Sequence, residues 1–125
     1  MKDIFFVYDQ CCLYELMVLR YFMRCAGCDA VLLSADGAAI TSAEGIRVTP
    51  DGALGDAAEG DIRCMVVPGG FTAAFAHRAA TPEVLALLGR LRRQGTVMAG
   101  ICAGVDVLEM AGVLEGVAST HSRPE

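Results

Sequence analysis

The chain has 125 residues, 54% of them hydrophobic but only 6% aromatic, and its formal net charge is −5. Such a length predicts a single domain, residues 1–125, with a core built mainly from aliphatic side chains. The acidic balance argues against a general nucleic-acid or membrane-surface binder, and because no apolar run approaches the roughly 20 residues that cross a bilayer, we expect a soluble, cytoplasmic protein.

The first half of the chain alternates between strand and helix patterns. Residues 4–7 form a continuous apolar run, which is typical of a strand covered on both faces. A long, almost wholly apolar segment over residues 13–24 predicts a buried helix that ends at Gly27. A second short strand is predicted over residues 30–33. Small and polar residues dominate positions 34–56, which indicates a hairpin excursion before the sheet resumes.

The second half continues the alternation. Thr81 is a good helix N-cap, Pro82 suits the first helical position, and Glu83 suits the first turn. The predicted elements are a strand over residues 62–67, a helix over 82–94, a fourth buried strand over 97–101 and a helix over 103–111. Strands that alternate with helices imply a parallel sheet covered on both faces. The predicted fold class is α/β, with a flavodoxin-like parallel sheet.

Cys102 is the residue that most constrains the function. It lies between Gly100 and Gly104, where a β-forming segment changes directly into a helical one. This small-x-nucleophile-x-small pattern predicts a nucleophile elbow, whose tight turn projects the thiol beside free N–H groups at a helix N-terminus. Those donors favour the thiolate. The alternative is a small buried core cysteine, since free cysteines are among the most buried residues.

Glu15 is a second candidate functional residue. Leu19 and Phe22 follow it at helical spacing, so its carboxyl is predicted to lie on an apolar face. A lone carboxyl in such surroundings tends to stay protonated, and it could then donate a hydrogen bond to a thiolate or move a proton during turnover. The alternative is a solvent-facing carboxylate that is favoured at the helix start by the helix dipole.

Backbone amides near the predicted elbow could stabilise an oxyanion. The turn that follows the third predicted strand contains Gly69, Gly70 and Phe71, and its glycines allow a backbone N–H to approach a substrate closely. In a doubly wound sheet this turn and the elbow meet at the carboxyl ends of the strands. The amides of Gly70 and Ala103 are therefore the predicted oxyanion donors.

The two histidines have different predicted roles. His77 follows the glycine turn and is interpreted as merely exposed. His121 lies nineteen residues after Cys102 and could fold back beside it as a general base or acid.

The remaining cysteines give no comparable signal. Cys25 and Cys28 have redox-motif spacing, but they lie where a helix is predicted to end, whereas a thioredoxin-like motif should open one. With no secretory segment, the six cysteines are expected to stay reduced. No further ligands with zinc-site spacing accompany them, so we expect neither a metal nor another cofactor. The cysteines without a recognisable pattern are Cys11, Cys12 and Cys64.

Taken in order, these segments resemble the ThiJ/PfpI superfamily, within the class I glutamine amidotransferase-like fold. The matching pieces are Glu15 on the first helix, the hairpin over residues 42–48, the Val-Val-Pro-Gly-Gly run over 66–70, the Ala-Gly-Ile-Cys-Ala-Gly run over 99–104, and Thr120-His121. The resemblance covers nearly the whole chain. It implies that Cys102 is the nucleophile, that Glu15 is the protonated carboxyl in contact with it, that Gly70 and Ala103 supply oxyanion-hole amides, and that His121 is the nearby histidine.

The resemblance implies a cysteine-dependent enzyme that acts on a small electrophilic carbonyl, as glyoxalase- and deglycase-like members do. Isocyanide hydratases and PfpI-type peptidases are further alternatives, although the hydratases place an aspartate near the position of Glu15. A non-catalytic redox sensor or chaperone-like protein that uses an oxidisable Cys102 is the alternative from another class. A ligand-sensing domain of the kind fused to transcription regulators is less favoured, because no helix-turn-helix pattern follows.

The expected partner is a small-molecule substrate, with no nucleic acid and no membrane. Family members usually continue past the position of His121 with a further strand and a closing helix, whereas this chain stops at Glu125. One flank of the sheet would then expose apolar surface, which favours a homodimer or a higher oligomer.

Overall fold

The computed structural model describes residues 1–57 and 60–120, and its centre is a five-stranded parallel sheet. The strands of this sheet are β1 (Lys2–Phe6), β2 (Asp29–Ser34), β5 (Gly52–Ala53), β6 (Ile62–Val67) and β7 (Val97–Gly100). A separate antiparallel hairpin pairs β3 (Ile40–Thr41) with β4 (Arg47–Val48). The helices are α1 (Tyr14–Cys25), α2 (Leu54–Ala57), α3 (Ala73–Ala79), α4 (Pro82–Arg93) and α5 (Gly104–Met110).

The sheet has the strand order β5-β2-β1-β6-β7, which confirms the predicted flavodoxin-like α/β fold. β1 is central because its apolar run can be covered on both faces: Ile4, Phe5 and Phe6 are completely buried. Full burial of each such side chain contributes about 1.5–3 kcal/mol. β1 pairs in parallel with β2 on one side and β6 on the other. All the predicted strands are present, and β5 is an additional edge strand.

The sequence predicts helix α4 but not helix α3, and the two helices differ at their N-termini. The Thr81 side chain accepts a hydrogen bond from the amide of Val84, at 3.4 Å, as expected for the N-cap of α4. α3 also follows a threonine, Thr72, but that side chain makes no capping hydrogen bond. Because neither a proline nor an acidic residue follows Thr72 in the first turn, as Pro82 and Glu83 follow Thr81, the sequence indicates only a turn there.

The surroundings of α1 differ from the prediction of a buried helix. Leu16 is the buried residue of this helix, whereas Leu19 and Phe22 are 41% and 63% exposed. These two side chains therefore do not provide the apolar surroundings predicted for Glu15. Apolar composition alone could not distinguish a buried helix from one with an apolar face directed at solvent.

The prediction that the fourth strand is buried is also wrong. β7 lies at the edge of the described sheet, where it pairs with β6. Val97 is exposed, and the remaining residues of the strand are only partly buried. A continuous apolar run is equally compatible with a central strand and with an edge strand whose outer flank is open.

The N-terminus of α1 is capped by a residue of the hairpin. Leu13, at the N-cap position, has no capping side chain, and instead its amide donates to Glu44 Oε1 at 3.2 Å. The amide of Tyr14 donates to Glu44 Oε2 at 2.9 Å. One carboxylate therefore binds two amides that the helix itself leaves unsatisfied. The β3–β4 hairpin thus fixes the start of the helix that carries Glu15.

This cap predicts a pH-dependent contribution to stability. Burial alone would raise the pKa of Glu44, but hydrogen bonds, led by the one from the Tyr14 amide, bring it below its ordinary value. A folded-state pKa below the unfolded value gives stabilisation that is present at neutral pH and disappears as the pH falls below about 4. We expect Glu44→Gln to lower the free energy of unfolding at pH 7 by about 0.5–1 kcal/mol, near the low end for a cap.

Urea unfolding at pH 7 and at pH 3.5 measures this contribution. The difference between Glu44→Gln and the unaltered chain should be present at pH 7 and should shrink at pH 3.5. Glu115→Gln, which removes the same charge from another exposed side chain, serves as the control. A constant difference at both pH values would contradict a role for the ionised carboxylate.

The C-terminus of α1 excludes a helix-opening redox motif. The amide of Cys28 donates to the carbonyl of Met23 at 2.9 Å, and Gly27 adopts a φ of +81°, which together form a Schellman ending. The Cys28 thiol accepts a hydrogen bond from Arg63 at 2.9 Å. Arg63 also forms a salt bridge with the completely buried Asp3. Cys28 therefore belongs to a polar contact at the amino end of the sheet, as the predicted helix ending required.

Candidate functional site

The turn at Cys102 has the geometry of a nucleophile elbow. β7 ends at Gly100, α5 begins at Gly104, and Cys102 between them has a φ of +53° with an exposed side chain. A non-glycine residue in this left-handed region is strained and requires support from its surroundings. A Cβ atom on Gly104 would overlap the carbonyl oxygen of Val67. The elbow therefore needs glycine at position 104 so that α5 can approach the end of β6.

Glu15 and Cys102 meet at Gly69. The amide of Gly69 donates a hydrogen bond to Glu15 Oε1 at 2.7 Å. A Cβ atom placed on Gly69 would lie 3.1 Å from both Cys102 Cβ and Glu15 Oε1. The absence of a side chain at Gly69 thus allows the carboxyl and the nucleophile to approach from two different elements. This arrangement brings a carboxyl group close to the residue that carries the exposed thiol.

The two predicted oxyanion donors lie in the loops that form this site. The Ala103 amide would be 3.2 Å from a Cβ atom on Gly69, so it lies at the centre of the cluster. Gly70 forms a bridge with Cys11 in which the hydrogen bonds are made by the flanking residues, leaving the Gly70 amide outside the pairing. Within residues 1–57 and 60–120, neither amide donates to a protein acceptor. Both are available for a bound oxygen atom.

Tyr8 supports the glycine turn, residues 68–71, through a hydrogen bond. Its hydroxyl donates to the carbonyl oxygen of Pro68 at 2.8 Å, and the side chain is buried. Burial is the main reason why the pKa of Tyr8 is raised, so this hydroxyl remains a donor over the physiological pH range. Because Pro68 directly precedes Gly69, the hydrogen bond helps to fix the amide that binds Glu15. This role of Tyr8 cannot be predicted from the sequence, since the two partners are sixty residues apart.

A second thiol lies on the Glu15 side of the site. The amide of Cys12 donates to the carbonyl of Gly69 at 2.8 Å, and its side chain is buried. Burial, followed by the charge of Glu15, raises the pKa of the Cys12 thiol. The Tyr14 side chain makes a hydrogen bond to this thiol, and the nearby Cys12 and Glu15 raise the pKa of Tyr14. Cys12 is thus held as a neutral thiol.

One of the two histidines, His77, contacts an acidic side chain. His77 Nε2 lies 3.1 Å from Asp106 Oδ2, and this contact links α3 to α5. The His77 side chain is 48% exposed but Asp106 is only 8% exposed, so the interpretation of His77 as merely exposed is incomplete. His121 lies outside the described residues, and its role in the site stays a prediction.

Phe71 lies on the open side of the glycine turn. Phe71 is 69% exposed, and its amide donates to the carbonyl of Gln10 at 2.7 Å. The side chain is therefore held at the site's edge by its backbone.

Among the described residues, no group of three or more His, Cys, Asp or Glu side chains could hold a metal ion, and no helix has the length and apolar character to span a membrane.

Comparison with curated proteins identifies transcription regulators as relatives. The chain is 38% identical over 89 residues to the HTH-type transcriptional regulator CdhR of Pseudomonas aeruginosa, a match that covers 71% of this chain and 25% of the regulator. It is 33% identical over 84 residues to the HTH-type transcriptional regulator GbdR of the same species, covering 67% of this chain and 22% of the regulator. The chain thus spans about a quarter of the length of these relatives.

Three of the solved structures with the same fold come from two bacteria and a protozoan. A DJ-1 superfamily protein from Agrobacterium tumefaciens is 30% identical with a TM-score of 0.84, and the match covers 97% of this chain and 64% of that protein. A DJ-1 superfamily protein from Salmonella typhimurium is 27% identical with a TM-score of 0.79, covering 93% and 64%. Oxidized DJ-1 from Toxoplasma gondii, at 24% identity and a TM-score of 0.79, shares the fold over 92% of this chain and 63% of its own. Residues 1–123 match the model of the DJ-1/PfpI family, and the chain belongs to that family.

Proposed function

We propose that this chain is a cysteine-dependent enzyme that acts on a small electrophilic carbonyl such as a 2-oxoaldehyde. The observation that carries the proposal is the meeting of Glu15 and Cys102 at Gly69, with the carboxyl fixed by an amide at 2.7 Å. Addition to a carbonyl needs an exposed thiolate and an acid or base within reach of the new centre. The exposed Cys102 and the adjacent Glu15 fit those two requirements.

The proposed reaction begins when the Cys102 thiolate attacks the aldehyde carbon, and the oxyanion then takes back the proton that the thiol released, which gives a hemithioacetal. The amides of Gly70 and Ala103 stabilise the oxyanion. Glu15 removes the proton from the former aldehyde carbon and returns it to the neighbouring carbon through an enediol. The product of this step is a 2-hydroxy thioester on Cys102. Water then hydrolyses the thioester, releasing the 2-hydroxy acid and the free thiol, and His121 assists the proton transfers.

Turnover of methylglyoxal tests this proposal. We expect the unaltered chain to form lactate and Cys102→Ser to lose that activity by about a hundredfold or more, because a hydroxyl is a much weaker nucleophile at neutral pH. Cys25→Ser, which alters another exposed cysteine, should retain full activity. If no carbonyl compound is turned over while dilute peroxide oxidises Cys102, the enzyme proposal fails and the redox-sensor alternative is favoured.

A ligand-sensing domain is the second candidate, and the relation to CdhR and GbdR favours it. In this case the site around Cys102 would bind a small molecule without turning it over, and the binding signal would be passed to another part of a regulator. Equilibrium binding of a carbonyl compound by Cys102→Ser, with no product formed by the unaltered chain, would support this candidate over the enzyme.

A further inference from the structure

A cavity of about 370 Å³ lies beside the glycine turn. Its lining is formed by Tyr8, Asp9, Phe75, Arg78 and Ala79. The volume lies within the range of about 300–1,000 Å³ that small-molecule pockets occupy. Neither Cys102 nor Glu15 lines it. We refer to this cavity as the Asp9–Arg78 cleft.

The strand order places the cleft where a ligand is expected. β1 has β2 on one side and β6 on the other, so the order of the sheet reverses between β1 and β6. In doubly wound sheets this reversal opens a crevice beyond the carboxyl ends of the two strands, and ligands bind in it. Tyr8 and Asp9 follow β1, and the remaining lining residues belong to α3, the helix that follows β6. The cleft is therefore built from the two elements that flank the switch point.

The cleft contains one charge of each sign. Asp9 uses Oδ1 to accept a hydrogen bond from the amide of Thr41, at 3.0 Å, which fixes the carboxylate. The Arg78 guanidinium lies 4.2 Å from the centre of the Phe75 ring, which is a cation–π contact. Among the residues that the structure describes, neither Asp9 nor Arg78 forms an ion pair. Two exposed side chains of opposite charge, each with one protein contact and neither in an ion pair among the described residues, thus line one cavity.

This charge arrangement selects for a ligand that carries both charges. A ligand with only a negative charge would be attracted by Arg78 but repelled by Asp9. A ligand with only a positive charge would be attracted by Asp9 but repelled by Arg78. A zwitterion can satisfy both groups at once, and a carboxylate can accept two parallel hydrogen bonds from a guanidinium. We propose that the Asp9–Arg78 cleft binds a small zwitterion of the amino-acid type, with its carboxylate on Arg78 and its cationic group on Asp9.

The cleft goes beyond the proposed function, because ligand binding there does not require Cys102 to react. The cleft and the thiol site are nevertheless connected by Tyr8, which lines the cleft and donates to the carbonyl of Pro68 in the glycine turn. A test of the cleft should therefore measure binding itself, in a chain that cannot carry out thiol chemistry as well as in the unaltered one.

Isothermal titration calorimetry with a series of ω-amino acids tests the proposal. The probes are glycine, β-alanine, 4-aminobutanoate and 5-aminopentanoate, with butanoate and butylamine as ligands of a single charge. We expect at least one amino acid of the series to bind about tenfold or more tightly than either single-charge ligand, because only it satisfies both side chains. Binding should be unchanged in Cys102→Ser, which separates this result from any failure of the proposed enzyme.

Two variants test the assignment of each charge. Asp9→Asn keeps an oxygen that can accept from the Thr41 amide, and Arg78→Gln removes an exposed guanidinium together with its contact on the Phe75 ring, so neither is expected to unfold the chain. Each should weaken binding about tenfold or more, whereas the exposed Arg93→Gln should not. The proposal is overturned if no amino acid in the series binds, if butanoate binds as tightly as the amino acids, or if the two variants bind as well as Arg93→Gln.

Discussion

A Gly104→Ala variant is expected to lose about 3 kcal/mol or more of its free energy of unfolding, at the upper end for overpacking. The new methyl group would overlap the carbonyl oxygen of Val67, and it would lie 2.8 Å from the carbonyl carbon of Val67 and 3.0 Å from the carbonyl oxygen of Pro68. All three neighbours are backbone atoms at the end of β6, so no side chain can rotate away. Either α5 must move outward or the end of β6 must bend.

Urea unfolding measures this loss, and the chain supplies a matched control. Gly55 lies in α2, and a Cβ atom added there would meet nothing within 4 Å. Gly55→Ala should therefore leave stability unchanged or raise it slightly, because alanine is the better helix former. Equal stability of Gly104→Ala and Gly55→Ala would mean that α5 does not approach β6 as closely as described.

A Glu15→Gln variant should lose most of its turnover of methylglyoxal but keep the alkylation of Cys102. Glutamine retains an oxygen that can accept from the Gly69 amide, so the 2.7 Å hydrogen bond and the local geometry can persist. An amide cannot transfer a proton as a carboxyl does. We therefore expect turnover of methylglyoxal to fall by about 10²–10⁴-fold, the range for loss of a general acid or base, while alkylation by iodoacetamide changes only a few-fold.

The measurement is best made by following both reactions on the same preparation. Peptide mass spectrometry locates the alkylated cysteine, and the exposed Cys25 provides the internal reference for an ordinary thiol. Glu83→Gln, in the first turn of α4, is the control for loss of a carboxylate elsewhere. Turnover by Glu15→Gln at the rate of the unaltered chain would remove Glu15 from the proposed mechanism.

The elbow could be predicted from sequence because its requirements are local. Gly100 and Gly104 leave space for a tight strand-to-helix turn, and this spacing is visible in five consecutive residues. The structure adds the reason for Gly104, which is the approach of α5 to the carbonyl of Val67. The strands were predictable for a similar reason, since each apolar run is short and is bounded by turn residues.

The contacts of Glu15 could not be predicted, because they join segments far apart in the chain. The sequence suggested Leu19 and Phe22 as its neighbours, but both are exposed, and the partner is the amide of Gly69. The cap supplied by Glu44 is separated from α1 by thirty residues. Helical periodicity describes which residues share a face, and it carries no information on which distant loop that face meets.

The strained backbone at Cys102 means that the exposed thiol comes with a cost in stability. A φ of +53° costs a residue other than glycine about 1–2 kcal/mol, whatever side chain it carries. Glycine at position 102 would remove that cost together with the thiol, whereas serine would remove the thiol and keep the strain. Selection for stability alone would therefore favour losing the thiol, and any engineering of this chain for thermal tolerance should compensate elsewhere rather than relax the elbow.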